Sequence, residues 1–148
     1  MSVSFKIEIK GLDKIMAGFK KSPLTTYKYL NQAINKSAWQ ITNDVKSATP
    51  VKTGTLKRGI RPEFGQLKAV IKPHNAPYAY WVHQGTNAHV IRPRRKKALS
   101  WKGAKHPVKY VRHPGTKGKP FMQIGAKNSE GKVGKTFSDA LDKIVKEL

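Results

Sequence analysis

Acidic residues are what this sequence has least of. None occurs from Phe64 through Ser129, a stretch that holds fourteen lysines and arginines. Over all 148 residues, 30 basic side chains face only 8 acidic ones, for a formal net charge of +22. The middle of the chain has no acids of its own to neutralise it. It calls for a negative partner: a phosphate backbone, an acidic membrane or an acidic protein surface. Cysteine is absent altogether, which excludes disulfides and thiolate metal sites. No apolar run is long enough for a membrane span, and the opening MSVSFKIEIK does not read as a signal peptide. A soluble protein with no membrane partner is expected.

The shortage of carboxylates also argues against an enzyme. A metal-dependent nuclease needs clustered acids to hold its cations, whereas Asp13, Asp44, Glu63 and Glu130 are scattered along the chain. There is no Gly-rich phosphate loop and no nucleophile elbow. Histidines 74, 83, 89, 106 and 113 include no pair at the i, i+4 spacing of a helical zinc site. No catalytic, cofactor-binding or metal-binding residue is therefore expected.

What is present suffices for a core. Hydrophobic residues make up 38% of the chain and include Trp39, Trp81 and Trp101, so one folded domain spanning residues 1–148 is expected. Val3, Phe5, Ile7 and Ile9 alternate with polar residues, as in a half-buried strand ended by Gly11. Leu12, Ile15, Met16 and Phe19 fit a short helix. Ser22-Pro23 then offers a helix start, and Tyr27, Leu30, Ile34, Ala38, Ile41, Val45 and Ala48 recur at helical spacing. Thr49-Pro50 stops that helix. Leu56 and Ile60 read as a helical restart. Short β-like runs follow at Ala69–Lys72, His89–Arg92, Ala98–Trp101 and Val108–Arg112, with a helical piece around Tyr78–Val82. Val133, Phe137, Leu141, Ile144 and Leu148 mark a closing amphipathic helix. The expected fold class is α+β: a small, mostly antiparallel β-sheet packed against one long helix, with a C-terminal amphipathic helix.

The basic run Arg92-Pro93-Arg94-Arg95-Lys96-Lys97 places five cations in six residues between two apolar segments. Val90 and Arg92 facing Leu99 and Trp101 suggest a hairpin with the charges at its tip. A charge run of this kind is usually a solvated loop. Here the surrounding stretch lacks acids, so Arg92, Arg94, Arg95, Lys96, Lys97, Lys102 and Lys105 are read as contacts to DNA or to an acidic partner. Trp101 and Tyr110 could stack on bases but are read first as core residues of the sheet.

Three further segments carry a pattern. The first is Thr49-Pro50-x-x-Thr53-Gly54-x-Leu56, following the long helix; alone it reads as a helix end and turn. The second is Tyr78-Ala79, five residues, then Gly85-Thr86; alone it reads as a packed helical turn capped at Gly85. The third is Pro120-Phe121, leading into the closing helix. In this order the three resemble the small neck or tail-completion proteins of long-tailed bacteriophages, encoded among head–tail joining genes. The resemblance runs from about Leu12 to Leu148. Such proteins usually carry a glutamate two residues before the Gly-Thr pair, where this chain has His83, and the basic stretch here is longer and more positive.

The resemblance implies a non-enzymatic virion subunit, assembled in the host cytoplasm, that forms a homo-oligomeric ring around the DNA path at the head–tail junction. Six subunits would match the tail's symmetry, with neighbouring connector and tail proteins, and DNA in the lumen, as partners. The alternative is a free-standing, non-sequence-specific nucleic-acid-binding protein.

Overall fold

The computed structural model describes residues 4–8 and 23–147. The expected short helix at Leu12–Phe19, the Gly11 strand end, the Ser22 cap and Leu148 lie outside the described residues. The fold is α+β. In chain order it runs β1 (Phe5–Glu8), α1 (Pro23–Ala48), α2 (Thr55–Gly59), β2 (Ile60–Gly65), β3 (Lys68–Pro73) and α3 (Ala79–Gln84). Then come β4 (Gly85–Thr86), β5 (His89–Ile91), β6 (Val111–His113), β7 (Thr116–Lys117) and α4 (Phe121–Lys146). Among the described residues, no helix is long and apolar enough to cross a membrane.

Two helices of 26 residues, α1 and α4, form the frame, each about 39 Å long at 1.5 Å rise per residue. They run antiparallel. At one end the Tyr29 hydroxyl donates to the Glu147 carboxylate, and at the other Gly125 rests on Val45. The seam uses small residues: Ala33, Ser37, Ala38 and Thr42 on α1, and Gly125, Ser129, Thr136 and Ala140 on α4, all buried. A Cβ at Gly125 would lie 2.4 Å from the Val45 Cα, so the backbones approach too closely there for any side chain.

Polar contacts fix the register. The Lys132 ammonium donates to both Asp44 oxygens at 2.9 Å. The Ser129 hydroxyl sits 2.8 Å from Asp44 Oδ2 and 2.8 Å from the Gly125 carbonyl oxygen. First through Lys132 and then through Ser129, the Asp44 carboxyl is held below the usual carboxylate range.

The three-stranded antiparallel sheet has the order β1-β3-β2. Phe5 pairs with Ile71 on one side of β3, and Pro62 with Ile71 on the other. Ile34, Ala38, Ile41 and Val45 of α1 share one core with Leu56, Ile60, Ala69, Ile71, Ala76, Ala79, Phe121 and Met122.

Several expectations need correction. Ile60 does not continue a helix: α2 is five residues long and Ile60 opens β2. Pro62 hides this strand in the sequence, yet β2 is an edge strand, the place in a sheet where proline is tolerated. The closing helix starts at Phe121, about three turns before Val133. Along its expected stripe Val133 and Phe137 pack against the core and Ile144 is buried, but Leu141 is exposed. Ala98–Trp101 forms no strand; only Leu99 pairs, in an isolated bridge with Val108. His89–Ile91 pairs instead with Val111–His113.

Candidate docking arm

From Gln84 to Pro120 no residue is buried. This stretch leaves the body between α3 and α4 and returns to it, forming an arm without a core of its own. It carries Arg92, Arg94, Arg95, Lys96, Lys97, Lys102, Lys105, Lys109, Arg112, Lys117 and Lys119 and no acid. Among the described residues, no ion pair involves a lysine or arginine of the arm; Lys72–Glu63 and Lys132–Asp44 both lie outside it.

The root is built by backbone packing. Gly85 pairs with Lys117 and Thr86 with Thr116. Gly85 adopts φ 84° and ψ −173°, a region open only to glycine. A Cβ there would fall 2.4 Å from the Thr116 carbonyl oxygen. A Cβ at Gly118 would fall 2.4 Å from the Gln84 carbonyl carbon, and one at Gly115 2.3 Å from the Thr86 carbonyl oxygen. The Lys119 N–H donates to the Val82 carbonyl at 2.9 Å. Below this knot, His83 is buried edge-on against Phe121, with ring centroids 5.3 Å apart. Burial pushes the His83 pKa below its ordinary value, partly offset by Gln123.

Beyond the root, β5 and β6 form a two-stranded ribbon in which His89 faces His113, Val90 faces Arg112 and Ile91 faces Val111. The His89 and His113 rings stack at 5.1 Å. His113 Nδ1 accepts the Gly115 N–H at 3.0 Å. The next pairing outward is Leu99 with Val108. Seven residues, Arg92–Ala98, separate these pairings on one leg, against Lys109 and Tyr110 alone on the other. The five-residue excess forces the outgoing leg to loop sideways. The basic run therefore bulges from the arm's flank and does not sit at its tip, as the local alternation had suggested. The tip is the turn around Trp101–Ala104, closed by Ala104 N–H to the Trp101 carbonyl at 3.0 Å.

All seven residues read as partner contacts, Arg92, Arg94, Arg95, Lys96, Lys97, Lys102 and Lys105, lie exposed on this arm. The motif residues do something else. Leu56, Ala79 and Phe121, one from each motif, are buried in the same core. Thr49 donates its hydroxyl to the Val45 carbonyl at 2.6 Å, and Gly54 turns the chain at φ 78°. Pro50 is half-buried, and Thr53 accepts a bond from Arg58 at its carbonyl, 3.3 Å away. Tyr78 and Pro120 stay exposed, while Gly85 and Thr86 form the arm's root. Motifs two and three thus meet in space, whereas the first joins them only through the core.

Trp101 and Tyr110 are not core residues. They are 54% and 50% exposed, and Val90 of the ribbon is 50% exposed. Among the described residues, no second layer covers them. Gly115 and Gly118 were also missed; their spacing from the lone Gly85 was the one available signal. Among the described residues, no three histidines, aspartates or glutamates gather as a metal site. No protein-family model, curated protein or solved structure matches the chain.

Proposed function

We propose that the chain is a structural subunit of a bacteriophage head–tail connector or tail-completion complex. In this reading it assembles in the host cytoplasm and works in the virion, as a ring around the DNA path. Six copies would match the tail. The observation that carries the reading is the arm: more than thirty consecutive residues with no buried side chain and no acid, rooted rigidly on a helix-pair body. Such a segment gains little from the chain's own fold and is suited to completing itself against another molecule. The order of the three motifs supports the same reading.

Deletion of the gene from the phage or prophage that carries it tests this. DNA-filled heads and full-length tails that fail to join, restored by the gene in trans, are expected in electron micrographs. Normally joined virions would overturn the reading. In that case the arm's cations favour a free-standing nucleic-acid binder, recognised as a stable monomer with submicromolar, steeply salt-dependent duplex affinity.

A further inference from the structure

We propose that the arm docks on an acidic protein surface of a different polypeptide, an apolar ledge edged by carboxylates, and that DNA is not its principal partner. The inference rests on the assembly-subunit reading above and names the kind of neighbour involved.

The arm's chemistry is mixed. Successive residues of the ribbon point to opposite faces, so Ile91 and Val90 present aliphatic surface on both sides. Ile91 is 38% exposed, and Trp101 and Tyr110 continue apolar surface outward. Phosphates reward only the cations, whereas aliphatic side chains leave water favourably only against carbon. A duplex groove would cover one face of the ribbon and leave the other wet.

At the root, an open cleft of about 870 Å³ runs between α3 and the ribbon, lined by Tyr80, Trp81, His89 and Lys117 among others. Trp81 is 54% exposed there. The cleft extends the same combination of aromatic surface and positive charge toward the body. Exposed aromatic residues and arginines on one segment match the composition enriched at protein interfaces, and Arg94 and Arg95 can fork onto carboxylates.

A second copy of the chain does not supply the complement. Asp44 and Glu63 are already paired with lysines, and Glu147 receives Tyr29. Glu130, Asp139 and Asp142 are interspersed on α4 with Lys127, Lys132, Lys135 and Lys143. Glu8 and Asp13 complete the eight acids, too few to balance the 30 cations that a second copy would bring with it, so charge complementarity favours a different protein. A fixed grip on DNA would also oppose the sliding that ejection requires, since each neutralised phosphate adds affinity.

The test is fluorescence anisotropy with two labelled probes and the whole chain: a random glutamate–tyrosine copolymer and a short DNA duplex. Raising NaCl from about 0.1 to about 0.3 M is expected to weaken duplex binding by about a hundredfold or more and copolymer binding by less than about tenfold. The double variant Val90→Ser, Trp101→Ser should weaken the copolymer about tenfold and change the duplex less than about twofold. Both side chains are half exposed, so an unchanged melting temperature is expected; Tyr110→Ser is an independent second variant. Equal losses for both probes, no loss for either, tighter duplex binding at the higher salt, or no copolymer binding would each overturn the proposal. The deletion phenotype reports separately. Unjoined heads and tails without copolymer preference leave the connector role standing and remove only the acidic partner. Copolymer preference with normal virions does the reverse.

Discussion

The helix pair and the arm use similar residues to opposite ends. In the pair, modest side chains such as Ala38, Ser37 and Ser129 are fully buried because a second helix lies across them. In the arm, Trp101, Tyr110, Val90 and Ile91 are exposed, and among the described residues no second layer lies on the ribbon. Side-chain hydrophobicity therefore does not decide what is core here; the presence of an opposing surface does. A two-stranded ribbon of three residues per strand is not stable by itself. Its shape depends on the glycine knot at the root, and its apolar faces stay exposed.

The comparison breaks most sharply in the middle of α1. Ile34 is completely buried where the helix meets the sheet. Ile34→Asp would place an unpaired carboxylate there, a loss of several kcal/mol, on the order of the whole stability of a small domain. No cooperative thermal transition and no soluble folded protein are expected. A normal melt would show that this face does not support the body.

Next in size is Gly125→Ala. On propensity alone, alanine should stabilise a helix interior by about 1 kcal/mol. The new Cβ would stand 2.4 Å from the Val45 Cα, and forcing the helices apart should cost about 2–3 kcal/mol, so net destabilisation is expected. Urea unfolding gives the sign directly, and a stabilised variant would mean that the seam is looser than described.

The same contrast explains what could be read from the sequence. α1 was legible because its buried face carries Leu30, Ile34, Ile41 and Val45 at helical spacing and Pro50 marks its end. The first three turns of α4 were not legible, because after Phe121 and Met122 they bury only Gly125 and Ser129, which carry no apolar stripe onward. β2 was masked by Pro62. In the arm, local alternation at His89–Arg92 and Ala98–Trp101 suggested a tight hairpin. The true partner of β5 lies some twenty residues on, and pairing at that distance leaves no periodic trace. The seven cations were legible as exposed, since charge without counter-charge has few other places to go. The aromatic residues beside them were misread, because a tryptophan in isolation always resembles core.

A third, smaller effect concerns the seam's one buried-edge ion pair. Asp44 has a depressed pKa, so its contribution is present above the ordinary carboxylate value near pH 4 and is lost as pH falls through its lower folded value. Asp44→Asn should lower stability at neutral pH by about 1 kcal/mol, since the carboxylate is only 17% exposed but its lysine is largely in water. Well below the folded pKa the wild-type and variant curves should converge. A gap that persists in acid would assign the loss to packing and not to charge.

The smallest stability effect should come from the largest change in charge. Arg94, Arg95, Lys96 and Lys97 are all exposed, and none has an ion pair among the described residues. Changing all four to serine removes four charges from a chain of net +22, which relieves self-repulsion and sacrifices no native contact. The expected shift in unfolding free energy is within about 0.5 kcal/mol, with any change in the stabilising direction. Binding of the glutamate–tyrosine copolymer should fall by about tenfold or more in the same variant, because the fork-shaped contacts to carboxylates go with the two arginines. Unfolding of the quadruple variant would join the bulge to the body's own architecture and erase the distinction between the two regions. Intact folding with lost docking would mean that a segment contributing nothing to the stability of its own chain is retained for the surface of another.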